Sequence, residues 1–104
     1  MIGEMRERAA ILRPQRVPDG GGGYAVDYAP VAEIAVGVES RSAARDRLTG
    51  AEARLRRRRF LMRRRSDLIF EMRIVHQDTT YRITDIRDAS QGRLSLVDGE
   101  EIRT

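Results

Sequence analysis

Turn signals recur about every ten residues along this chain, and between them large apolar residues alternate with polar ones. That spacing suits short strands and leaves little room for a long amphipathic helix. The strongest signal is Pro18-Asp19-Gly20-Gly21-Gly22-Gly23, where Pro presets φ and Gly supplies positive φ without steric cost. A phosphate-cradling reading of these glycines needs a helix with Lys-Ser/Thr after them. "YAVDYA" follows instead, with Tyr24, Val26 and Tyr28 on one face, so the glycines read as a hairpin turn.

The same rule places the other strands. "RAAILRP" (8–14) reads as a first strand closed by Pro14, which cannot donate to a ladder. Residues 24–29 and the Val/Ile-rich 31–40 read as the second and third, parted by Pro30, with Gly37 marking a bulge or a close backbone approach. Residues 59–64 form a fourth, with Phe60 and Met62 on the core face and Leu61 opposite. Residues 71–89 read as a hairpin: Met72, Ile74 and His76 alternate, Gln77-Asp78 turn, and Tyr81, Ile83 and Ile86 return. Gln91-Gly92 turns into a last strand, "RLSLV", ended by Asp98-Gly99. The expectation is all-β, a small antiparallel barrel or sandwich of six to seven short strands, with a long mobile loop (41–54) after the third.

A chain of 104 residues fits one domain, 1–104, and removes roughly 65% of its unfolded surface from water. Cysteine is absent, which removes disulfides and thiolate metal sites. No apolar run reaches the roughly 20 residues of a membrane span, and the N-terminus lacks a signal-peptide apolar core. Synthesis in the bacterial cytoplasm is the expectation. All 20 basic residues are arginine, against 16 acids, for a net charge of +4. The Arg-only usage fits a GC-rich coding composition, and it gives each cation a rigid planar fork suited to carboxylate or phosphate.

No catalytic, cofactor-binding or metal-binding constellation emerges. His76 is the single histidine and lacks carboxylates at ligand spacing, so it reads as a packing or turn residue. The serines have no nucleophile-elbow context, and Asp85 and Asp88 read as strand-edge acids or arginine partners. The tract "ARLRRRRFLMRRR" (53–65), with eight arginines, raises a nucleic-acid reading. Oligonucleotide-binding barrels interleave aromatics with their charges, however, and Phe60 is the tract's one aromatic.

The order of motifs resembles the phage head–tail joining family, the head-closure or stopper proteins of siphovirus-type phages and gene transfer agents. Ile2-Gly3-Glu4-Met5-Arg6 through Arg13-Pro14, then Asp19 to Gly22 and Gly23, match its opening. "YRITDIRD", with Tyr81 and Ile83, resembles its Tyr-x-Ile strand. Tyr28 and an aliphatic position near 34–36 stand where the family usually has Trp.

The resemblance implies a non-enzymatic connector subunit without cofactor. It would form a homo-oligomeric ring, commonly dodecameric, at the neck of a virion or virus-like particle. Such a ring lies between a portal or adaptor and the tail proteins, with double-stranded DNA passing through and no membrane involved. It retains packaged DNA and offers the surface on which the tail docks. The family's loop between the third and fourth strands projects into the channel. Arg41, Ser42, Arg45, Asp46, Arg47, Leu48, Thr49, Gly50 and Glu52 occupy that slot. In a ring each arginine becomes a belt, and Arg54, Arg56, Arg57, Arg58, Arg59, Arg63, Arg64 and Arg65 are expected to meet acids of neighbouring subunits or partner rings. The alternatives are a tail-terminator or tail-completion ring, and a basic nucleic-acid-binding barrel.

Overall fold

The computed structural model describes residues 5–41 and 56–102, with the side chains of residues 40 and 41 left aside. Six strands account for most of them: β1 (Glu7–Pro18), β2 (Tyr24–Arg41), β3 (Arg57–Arg63), β4 (Arg73–His76), β5 (Thr79–Ala89) and β6 (Leu94–Glu101). Every pairing is antiparallel, and the order β1-β2-β3-β6-β5-β4 closes when β4 returns to β1. The all-β expectation is met. The described residues contain no helix.

Period-two alternation builds the core. Ala9 and Ile11 from β1, Val36 from β2, Phe60 and Met62 from β3, Ile74 from β4, Tyr81 and Ile83 from β5 and Val97 from β6 all point inward and are buried. Met72, just before β4, joins them, and Ile34, Val38, Leu68 and Ile86 pack around the cluster. Phe60 is the hub. Its ring meets Tyr81 edge-on at 5.4 Å and His76 at 5.7 Å, arrangements worth about 0.5–1.5 kcal/mol beyond area burial for a typical aromatic pair. His76 is buried and satisfied: its Nε2 lies 2.6 Å from Glu7 Oε1, which also accepts from Gln77 Nε2 at 3.3 Å.

Three boundaries differ from the sequence reading, each for a physical reason. Pro30 does not divide two strands; β2 runs unbroken for 18 residues. The register shifts there, because Ile11 faces Ala32 and Leu12 faces Pro30, leaving Val31 as the extra residue of a bulge. Pro is tolerated where the ladder is already interrupted. The bulge is therefore at Val31 and not at Gly37, and the long connection follows the second strand. Pro14 does not end β1 either, since it pairs with Tyr28 in a stretch where β1 has β2 as its only partner. Nor do Asp98-Gly99 end β6, which continues to Glu101. Gly99 is there for space: a Cβ at that position would lie 2.9 Å from Tyr81 Cβ and 3.4 Å from the Phe60 ring.

Two hairpin turns follow the sequence. Gln77 and Asp78 both take positive φ (50° and 64°), the geometry of the type I′ turn that suits a twisted two-residue hairpin. Asp19 organises the glycine turn by accepting from Gly21 N at 2.8 Å and Gly23 N at 3.2 Å, while Gly20 and Gly22 take the left-handed conformation.

Past Leu12 the β1–β2 pair leaves the barrel. β4 follows β1 only from Ala10 to Leu12, and β3 follows β2 only from Gly37 to Arg41. Residues 13–18 and 24–30 thus form a two-stranded arm, roughly 20 Å long at about 3.3 Å per residue. The radius of gyration is 15.1 Å, against roughly 13 Å for a compact domain of this length.

Candidate functional site

The outer face of β3, β6 and β5 carries a lattice of ion pairs. Inward residues of β3 are even-numbered, so Arg57 and Arg59 point outward, directly opposite Glu100 and Asp98 of β6. Arg59 donates side-on to Asp98, Nε to Oδ1 at 2.7 Å and Nη2 to Oδ2 at 3.3 Å. Glu39 of β2 stands 4.0 Å from Arg59 on one side, and Arg87 of β5 reaches Asp98 at 3.7 Å on the other. Arg87 also pairs with Asp85 at 2.8 Å. A second row runs Arg57–Glu100–Arg82: Arg57 Nε donates to Glu100 Oε2 at 3.3 Å and Arg82 Nε to Oε1 at 3.1 Å.

The electrostatics follow the geometry. Hydrogen bonds from Arg82, then the nearby charges of Arg82 and Arg57, hold the Glu100 carboxyl below the ordinary glutamate range against the opposing effect of burial. A hydrogen bond from Arg65 does the same for Asp67, and the hydrogen bond to Asp98 holds the Arg59 guanidinium above its usual value. Such half-buried bidentate pairs fix one face of a sheet more firmly than isolated surface pairs do.

The arginine tract is thus partly accounted for within its own chain. Arg57 and Arg59 meet Glu100 and Asp98, Arg65 meets Asp67 at 2.9 Å, and Arg64 lies 3.9 Å from Asp88. Among the described residues Arg56, Arg58 and Arg63 make no ion pair, and Arg58 donates to the Arg57 carbonyl. Arg63, Arg64 and Arg65 line a groove with Met5, Arg8, Glu33, Ile34 and Ala35, where β2 and β3 part company. The sequence reading placed Asp98 in a turn and overlooked Glu100. The signal was available: two acids spaced by two, like the two arginines they face.

The expected channel residues Ser42, Arg45, Asp46, Arg47, Leu48, Thr49, Gly50 and Glu52 lie outside the described residues, as do Arg54, Ile2 and Gly3. Arg41 ends β2 and pairs with Arg57, the first residue of β3. The connection between them therefore leaves and re-enters at one end of the barrel, opposite the arm. Of the motif residues, Met5 is half-buried, Arg6 is exposed, Arg13 and Pro14 form the arm's root, Asp19, Gly22 and Gly23 form its tip, and Tyr81 and Ile83 are core.

The arm is the second notable surface. Opposed residues in an antiparallel pair share a face, so Leu12, Pro14, Arg16 and Pro18 lie with Pro30, Tyr28, Val26 and Tyr24. Tyr24 and Val26 are 65% and 62% exposed. Tyr28 is anchored by the Arg73 guanidinium, 3.9 Å above its ring. Among the described residues no group of three or more His, Asp or Glu is placed to hold a metal.

The family described as phage head completion protein matches residues 1–98. The chain belongs to that family. Its role is accordingly structural, in head completion, and the family is not one of enzymes. No curated protein sequence matches the chain. Two solved structures share the fold. Protein SF1141 from Shigella flexneri 2a has a TM-score of 0.74 at 19% identity over 96% of this chain and 95% of that one. A chain in the virion of a native gene transfer agent particle has a TM-score of 0.70 at 18% identity over 96% and 97%.

Proposed function

We propose that this head completion protein is a stopper-type connector at the neck of a tailed phage or gene transfer agent particle. Subunits form a closed ring between the portal or adaptor and the tail, retain the packaged DNA, and present the surface on which the tail docks. The family match over residues 1–98 carries this reading, and the fold shared with a chain of a gene transfer agent virion supports it. The topology is suitable as well. The connection between Arg41 and Arg57 starts and ends at one end of the barrel, so a segment can be aimed along the channel while the body packs in the ring wall.

The ion-pair lattice weighs against a nucleic-acid module. Arg57 and Arg59 of β3 are matched by Glu100 and Asp98 of β6, which reduces the charge that part of the face offers to phosphate, although Arg63 is exposed without an ion pair among the described residues. The test removes residues 42–51. The shortened subunit should fold and still enter particles, but the particles should leak DNA or lack tails. Fully tailed, infectious or transfer-competent particles would contradict the gating role.

A further inference from the structure

Beyond Tyr28, which Arg73 covers, the arm's outer face is exposed toward its tip. Tyr24 and Val26 are more than half exposed there, and Arg16, directly opposite Val26, makes no ion pair among the described residues. A second exposed apolar patch lies in the β3–β4 connection, where Ile69 and Phe70 are 43% and 55% exposed. Glu71 follows them, and it too makes no ion pair among the described residues. This patch is held in place: Leu68 packs on the core, Met72 is buried, and Met72 N donates to Ile69 O at 3.1 Å. The described residues thus include two unlike apolar patches, each beside a charge that makes no ion pair among them, and the two charges are opposite in sign.

We infer that the arm of one subunit docks its Tyr24–Val26–Arg16 face onto the Ile69–Phe70–Glu71 patch of a second copy of this chain. The contact is heterologous, since different surfaces meet, and repeated contacts of that kind generate a ring when the rotation closes. Aromatic and apolar side chains supply the buried area and the Arg16–Glu71 pair sets the register, as aromatic anchors and charge complementarity do in other interfaces. The arm's length suits the task, because it projects about 20 Å from its own barrel. The proposal deepens the connector reading and rests on it for the ring, but the contact itself is measurable on its own.

A photocrosslinking amino acid, p-benzoylphenylalanine, at position 24 of the full chain tests it, in purified concentrated protein and in particles. With isotope-labelled and unlabelled chains mixed, the expected product is a cross-chain link from position 24 to residues 68–71. Arg16→Glu or Glu71→Arg alone should lower its yield at least about ten-fold by placing like charges together, and the double reversal should restore it. Circular dichroism should show all variants folded. A link from position 24 to another protein, a link only within one chain, a link to another part of the second copy, or no link in either preparation would overturn the inference. Absence of the chain from particles would instead count against the connector reading, and a 24-to-70 link in purified protein would still support the interface.

Discussion

The barrel and the arm are made from the same two strands, yet they obey different constraints. Between Ala10 and Leu12, β1 has partners on both edges, and the inward residues Ala9 and Ile11 are buried in the same core as Phe60 and Tyr81. Between Arg13 and Pro18 it has one partner, prolines are accepted, and apolar residues stay in water. The body is where sequence is read by packing. The arm is where a subunit holds surface in reserve, because its apolar side chains contribute little to the isolated fold. Substitutions in the two regions should therefore separate stability from assembly.

The largest effect on stability is expected at the hub. Phe60→Ala removes the ring that joins β3 to Tyr81 and His76, and should cost about 3–5 kcal/mol in chemical denaturation. Gly99→Val comes next. Its Cβ would enter the space of Tyr81 Cβ, and the strain should cost about 1–3 kcal/mol. A normal denaturation midpoint for that variant would show that β6 can shift away from β5.

Glu100→Gln removes the carboxylate shared by Arg57 and Arg82, and the expected loss is about 1–2 kcal/mol at neutral pH. Its pH dependence has a definite sign. The folded carboxyls of Glu100 and Asp67 are held below their unfolded values. Their contribution is thus complete above the ordinary carboxylate range and is lost as pH falls through the lowered folded values. Wild-type stability should be level from neutral pH down to that range and then fall. The Gln variant should fall less steeply, so an equal acid slope would show that Glu100 is not linked to folding.

The smallest stability effect belongs to the arm. Tyr24→Ser should leave the isolated subunit within about 0.5 kcal/mol of wild type while lowering the yield of completed particles. A destabilisation like that of Phe60→Ala would erase the distinction between body and arm.

Much of the body was legible because alternation and burial coincide. Phe60 and Met62 face inward with Leu61 outward, and Gln77-Asp78 form the expected hairpin turn. The misread boundaries share one cause. Pro14, Pro30 and Asp98-Gly99 are turn-formers by local chemistry, but a free edge, a bulge and a close approach to Tyr81 give each a place inside a strand. The pairing of the arginine tract was not legible. The matching i, i+2 spacing of Asp98 and Glu100 fits Arg57 and Arg59, but which acids face them depends on the order β3-β6-β5, a long-range arrangement that the spacing alone does not fix.

The most direct measurement is a cryo-electron microscopy reconstruction of the particle neck. The account predicts a closed ring of this chain between the head and the tail, with the segment after Arg41 toward the channel axis. Finding the chain in the tail tube, or outside the particle altogether, would contradict it.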